Sequence, residues 1–185
     1  MSIKAFIPVF LVLFCNCSEY YPRPKAYLRV NAPLNYQIAE CFSFSRFETA
    51  AGAMLLPEHE NGNEIWANIL YPAYNAEVYG AYCRFAPGGL DKLTGDFYKL
   101  MERNMRDEEI HYALYEDHGR SVYAHIFRSE GAVASPIQFF VTDSTSHYFR
   151  GAVYFPDSLA YEKRVPYVRF MGDEMEHLLE TFSWK

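Results

Sequence analysis

Apolar and polar positions along the chain change period several times, and each change marks an element. Ala5 to Phe14 is a run of ten apolar residues. Beyond it, Ala26–Val30 and Tyr36–Ser45 read as strands, the second setting Phe42 and Phe44 against Ser43 and Ser45. Residues 46–63, with His59, Asn61, Gly62 and Asn63, predict a loop. Glu64–Tyr71 predicts a strand, Tyr71–Asn75 a turn, and Ala76–Phe85 a strand antiparallel to the one before, broken at Ala86–Gly89. Leu90, Leu93, Phe97, Leu100, Met101 and Met105 then recur at helical steps, while Asp91, Lys92, Asp96 and Lys99 face away. Asp107–Asp117 reads as a second short helix. Ser121–Arg128, Pro136–Thr142 and Tyr148–Phe155 predict three further strands. A last helix opens at Pro166, a residue suited to a first turn. It carries the stripe Val168, Met171, Met175, Leu178, Leu179 and Phe182, with Gly172 expected to loosen its middle and the tail to pack on the domain. The order predicts an α+β domain: a mostly antiparallel sheet of six to seven strands packed with two or three helices.

The first apolar run is too short to span a bilayer, which takes about 20 residues. Behind Lys4 it has the length of a signal-peptide core. Cys15 and Cys17 follow at once, and a cysteine in that place marks a bacterial lipoprotein signal. Cys17 is the expected lipidated residue and Cys15 the fallback, although neither follows the usual small residue. The chain then divides into a signal peptide over 1–16, a Pro-stiffened tether over 17–25 and one domain over 26–185. Export admits a disulfide between Cys41 and Cys83; two buried free thiols are the other reading.

Composition supports this division. The length of 185 residues suits one full-size domain, and 18% aromatic residues lean towards sheet. Seventeen basic residues against 23 acidic leave a net charge of −6, which argues against nucleic acid as a partner. Glu108-x-x-His111 and Glu174-x-x-His177 have the spacing of di-iron ligand pairs, but the four long helices such sites need are missing. Asp143, Ser144 and His147 are the residue types of a hydrolase triad. Packed within five residues and without a Gly-x-Ser-x-Gly elbow, they more often make a turn. His125 reads as packed among aromatic neighbours. Tyr71, Tyr74, Tyr79, Tyr82, Tyr148 and Tyr154 are divided between core and an exposed binding surface, most of them in the core. The expectation is therefore no catalytic residue, no metal and no cofactor.

The stretch AVASPIQFFVTDSTSHYFRGAVYF, Ala132 to Phe155, closely resembles a segment of the gliding-motility lipoprotein family GldD. The match is carried by Ala134, Ser135, Gln138, Phe139, Thr142, Asp143, Ser144, His147, Arg150, Gly151, Ala152, Tyr154 and Phe155, with Tyr148 where Phe is usual. Pro22–Arg29, Trp66–Tyr74 and Leu178–Lys185 resemble three more stretches of that family, in order. The departures are the degenerate lipobox and an alanine-rich patch at Thr49–Ala53. The resemblance implies a non-catalytic cell-envelope lipoprotein tied to gliding machinery and, less directly, to type IX secretion. It implies a lipid anchor, placed here in the outer membrane facing the periplasm, and other envelope proteins as partners. Ser135, Gln138, Asp143, Ser144, His147 and Arg150 become candidate partner-binding residues, Arg150 foremost. At fold level the element order resembles the PsbP/Mog1-like sandwich. A periplasmic binder of a small ligand or peptide, using aromatic rings around a pocket, is the alternative function, and a metal hydrolase on the Glu-x-x-His pairs a third.

Overall fold

The structure is a computed structural model that describes residues 30, 31, 33, 35–40, 42–156 and 160–185. The signal peptide, Cys15, Cys17, the tether, Cys41 and the expected strand up to Arg29 lie outside the described residues.

The predicted class holds, with more strands than expected. The elements are β1 (Tyr36–Ala39), β2 (Ser45–Ala50), β3 (Met54–Leu55), β4 (His59–Asn61), β5 (Glu64–Trp66), β6 (Ile69–Tyr71) and β7 (Ala76–Arg84). After them come α1 (Leu90–Asn104), β8 (His111–Asp117), β9 (Val122–Arg128), β10 (Ile137–Thr142), β11 (His147–Tyr154), α2 (Tyr161–Thr181) and β12 (Ser183–Trp184). The large sheet runs β3-β6-β7-β11-β10-β9-β8, with β5 also on β7 and β4 on β5. A small sheet runs β1-β2-β12. Every described pairing is antiparallel.

Burial explains the layering. Every position of β10 is buried, as befits a strand paired on both sides and covered on both faces. On one face Ile137, Phe139 and Val141 join Val78, Phe149, Val153, Val122, Ala124 and Ile126 beneath α2 and the small sheet. The stripe Val168, Met171, Met175, Leu178, Leu179 and Phe182 supplies the other side of that core. On the opposite face α1 lays Phe97, Met101 and Met105 over Cys83, Phe127, Phe140 and Tyr148.

The tail packs as expected. Strand β12 pairs with β2, and the Lys185 ammonium donates to the carbonyls of Glu40 and Phe42, at 2.6 and 2.7 Å. Arg120 caps the end of α2, donating to the carbonyls of Phe182 (2.9 Å) and Glu180 (2.7 Å), which lack partners within the helix.

Five local expectations are corrected. Tyr36–Ser45 is not one strand: Ser43 turns the chain, and β1 and β2 form an antiparallel pair with Tyr36 facing Ala50. Residues 46–63 are mostly strand rather than loop. Asp107–Asp117 is not a helix but a turn and the edge strand β8, where Tyr112 and Leu114 are 69% and 56% exposed. An edge with little cover has no buried stripe for periodicity to reveal. Helix α2 begins at Tyr161, so Pro166 lies inside it, where it cannot donate to the carbonyl four residues back. Gly172 serves docking: a Cβ there would stand 2.8 Å from the Arg128 guanidinium, which donates to the Gly172 carbonyl (2.8 Å) and pairs with Asp173 and Glu176.

The expected strand Glu64–Tyr71 runs in one register along β7, with Trp66 opposite Ala81 and Ile69 opposite Val78. It is interrupted at Asn68. There the Gly80 amide donates to the Asn68 side chain (3.3 Å), and the Asn68 carbonyl turns to the Leu56 amide (2.9 Å).

At the sheet centre Gly80 faces Gly151. A Cβ on Gly151 would lie 2.3 Å from the Phe139 ring, and one on Gly80 2.4 Å from the Ala67 carbonyl and 2.7 Å from the Phe149 ring. Both rings therefore lie directly on glycine backbone. Gly151→Ala is expected to destabilise the fold by about 3 kcal/mol, the upper end for overpacking, read as a lower urea midpoint at unchanged slope.

Candidate functional site

The polar residues of Ala132–Phe155 divide between two places. The first is the β10–β11 turn. Asp143 Oδ1 accepts the backbone N–H of Thr145 (2.9 Å), Ser146 (2.8 Å) and His147 (2.8 Å). Its Oδ2 accepts the hydroxyls of Thr145 (2.6 Å) and Ser146 (3.2 Å). Burial would raise the Asp143 carboxyl, but these donors outweigh it and hold the group well below the usual carboxylate range. Ser144 takes a left-handed φ of 66°, and its amide donates to Thr142 Oγ1 (3.0 Å). His147 Nδ1 lies 2.7 Å from the Tyr82 hydroxyl. Neither Asp143 nor Ser144 bonds the His147 ring, so the three make a turn, as their spacing predicts, and not a relay.

The second place is a groove of ≈ 270 Å³ on the α1 side of the sheet. Ladder partners point to the same side of a sheet, and the pairs Ala81–Arg150, Tyr79–Ala152, Gln138–Ala152 and Trp66–Ala81 bring this set together. Ala81 and Ala152 form a low floor, with Gly80 and Gly151 beside them. Trp66, Tyr79 and Tyr154 stand around it, and Phe97 and Leu100 of α1 close one wall. Tyr79 meets Tyr154 edge-on, centroids 5.3 Å apart, and its hydroxyl donates to Glu77 (3.1 Å). Gln138 is buried at 2% exposure yet lines the cavity. Arg150 pairs with Glu64 at 3.0 Å, both partly exposed. Ser135 is fully buried behind the groove; its carbonyl receives the Gln138 amide at 3.4 Å and its hydroxyl donates to Ile137 (3.3 Å).

The structure thus unites Gln138, Arg150, Gly151, Ala152 and Tyr154 in the groove and keeps Asp143, Ser144 and His147 at the turn. The sequence puts Trp66 and Asn68 on the strand Glu64–Tyr71, Ala81 on Ala76–Phe85 and Phe97 and Leu100 on the helical stripe, but joins none of them into a site. Trp66 and Asn68 are two apart on a strand, so a shared face was readable; the approach of α1 was not.

Of the Glu-x-x-His pairs, Glu174 and His177 serve packing. Glu174, on the face of α2 turned to β2, is 2% exposed. It accepts the Ala50 amide (2.6 Å) and the Thr49 hydroxyl (3.4 Å), beside the Thr49–Tyr71 hydroxyl pair at 2.7 Å. Burial pushes its carboxyl above the usual range. His177 bonds Glu48 (3.0 Å) and stacks near Tyr36. Glu108 and His111 lie in the turn and strand before β9. No group of three or more metal-ligating side chains occurs among the described residues. His125 is packed, its ring on Phe140 at 4.7 Å, and burial lowers its pKa. Cys83 is a free buried thiol pushed upward by burial. Tyr71, Tyr74, Tyr82 and Tyr148 are buried, while Tyr79 is exposed and Tyr154 half-buried.

Fold and groove together define the class: an α+β domain with helices on both faces of an antiparallel sheet and an open cleft on one of them. The model of the gliding motility lipoprotein GldD family matches residues 17–184. The chain belongs to that family, which makes it a lipid-anchored protein of the cell envelope concerned with gliding motility. No curated protein matches the chain. Among the described residues no helix is long and apolar enough to cross a membrane.

Two stability measurements follow from the charges. A carboxyl held low stabilises the fold above its unfolded value, about 3.9, and loses that contribution as pH falls through the folded value. Asp143→Ala is expected to cost about 2 kcal/mol at pH 7, with the gap to wild type closing below about pH 4 in urea titrations. Glu174 has the opposite sign, its contribution present below about 4.3 and lost as pH rises through the folded value. Glu174→Gln, which keeps an acceptor for Ala50, is expected to match or exceed wild-type stability at pH 8 and to lose that advantage towards pH 4.

Proposed function

We propose that this protein is a non-catalytic component or assembly factor of the gliding and type IX secretion-associated machinery. It is anchored through Cys17 in the outer membrane, faces the periplasm, and holds its partner at the groove. The observation that carries this reading is the composition of the groove. Two of the family-like stretches, Trp66–Tyr74 and Ala132–Phe155, supply Trp66, Asn68, Gln138, Arg150, Gly151, Ala152 and Tyr154 to one cavity. Large aromatic side chains left at a cleft, with an arginine beside them, have the composition of binding hot spots. The turn supports a non-catalytic role, because Asp143 spends both carboxylate oxygens on its own loop. The periplasmic-binder alternative shares the same groove and differs in the occupant.

The test is crosslinking in intact cells, affinity capture of the full-length lipoprotein and mass spectrometry. Gliding or secretion components are expected with wild type and are expected to fall at least about tenfold with Arg150→Glu. They are expected to be lost in the Cys15→Ala, Cys17→Ala double variant. Unchanged capture by Arg150→Glu removes the groove from the reading.

A further inference from the structure

The chemistry of the groove narrows what it holds, on the reading that the groove is the binding site. Its floor strands β7, β10 and β11 are each paired on both sides. Their backbone groups belong to the ladder, so a peptide cannot be added there as a strand. Recognition falls to side chains. Gln138 is the deepest of them, and its only hydrogen bond among the described residues is the 3.4 Å contact from Nε2 to Ser135. Its Oε1 and one N–H have no protein partner among the described residues and open into the groove, where water or a ligand with both a donor and an acceptor meets them, while an apolar cover would leave them unpaired. Asn68 commits its oxygen to Gly80 and leaves its NH₂ group as a donor. Arg150 has further N–H donors, but Glu64 meets its charge. The site therefore offers directed hydrogen bonds with little net charge, and favours neither a free anion nor a cation.

The apolar part is equally specific. Trp66 and Tyr79 are 44% and 49% exposed, and they flank a floor of two alanines. Flat aromatic faces beside amides suit a molecule with a C–H face and a hydroxyl edge, which is a sugar ring. An apolar side chain of a protein partner would cover the aromatics but leave Gln138 unsatisfied. The cavity of ≈ 270 Å³ lies just below the small-ligand range, which starts at about 300 Å³, and suits one ring with a substituent. We infer that the groove binds a neutral glycan through one N-acetylated hexosamine ring. The ring stacks on Trp66 or Tyr79, and its acetamido C=O and N–H pair reciprocally with the N–H and Oε1 of Gln138.

The test uses the full lipidated chain in detergent micelles, titrated with the trisaccharide of N-acetylglucosamine by calorimetry. Maltotriose, which has no acetamido group, is the control. Saturable binding of the N-acetylated sugar is expected, about tenfold tighter than maltotriose and about tenfold weaker in Trp66→Ala and in Gln138→Leu. Melting curves accompany both variants. Trp66 is exposed enough for its variant to fold, so the test stands even if Gln138→Leu does not. Two further arms, muramidase-released peptidoglycan fragments and delipidated lipopolysaccharide glycan, distinguish the sources of such a ring by relative affinity. Absence of binding by the N-acetylated trisaccharide, or equal binding by Trp66→Ala, overturns the inference. If the sugar fails while capture in cells still depends on Arg150, the glycan falls and the groove stands. If both fail, the groove falls too.

Discussion

The close contact of Phe139 and Phe149 with the Gly80–Gly151 rung sets the geometry of both sheet faces. The two rings lie on backbone where a Cβ would clash, so the α2-side core reaches down to the plane of the sheet. A glycine interior to a strand weakens it locally; here an aromatic from the same sheet covers each one and restores the burial. The neighbours of that rung point the other way. They are Ala81 and Ala152 towards the groove, flanked on the ladder by Tyr79, Gln138 and Arg150. One rung thus combines a tight core on one side with a shallow trough on the other.

The segment from Ser135 to Tyr154 shows how alternation assigns tasks. Its even-numbered positions in β10 and β11 face α1 and the groove; its odd-numbered ones face α2. The turn between them is closed by one carboxylate rather than by a glycine. Asp143 takes three consecutive amides on one oxygen, which fixes the hairpin register and therefore which residues reach the groove. Asp143 and Arg150 act on one site without touching: the first holds the register, the second lines the cleft.

Much of the fold was legible because burial on one face leaves a period. The α1 stripe, the α2 stripe and β9 carry that period; β7, β10 and β11 read as apolar, aromatic-rich runs between breakers, β10 being buried at every position, and the Tyr71–Asn75 turn came from its proline. The failures occur where that period is absent. Strand β8 is an edge with solvent on most of its positions, so Tyr112 and Leu114 carried no pattern. Strands β3 and β4 are too short to alternate. Pro166 signalled a helix start because a proline removes one donor, yet the helix tolerates that loss inside α2, where packing of the Met171 and Met175 side supplies the stability. The groove was only half legible. Its strand residues follow from alternation, but its wall depends on where α1 crosses the sheet, and no local pattern encodes that.

Why the groove stays open is a matter of dimensions. A helix of 15 residues is about 22 Å long and about 10 Å across with its side chains. Seven strands in a row span about 29 Å at 4.8 Å spacing. One such helix cannot cover that face. Helix α1 sits on the part carrying Cys83, Phe127, Phe140 and Tyr148, leaving two bare regions. One is the β8 edge, where Tyr112 and Leu114 stand exposed on the last strand of the sheet. The other is the β5–β7–β11 side, where Trp66 and Tyr79 frame a cavity with a buried amide in its wall. Of these two regions only the second couples exposed aromatic surface to an amide whose oxygen has no protein partner among the described residues, and that coupling makes it a site rather than uncovered sheet.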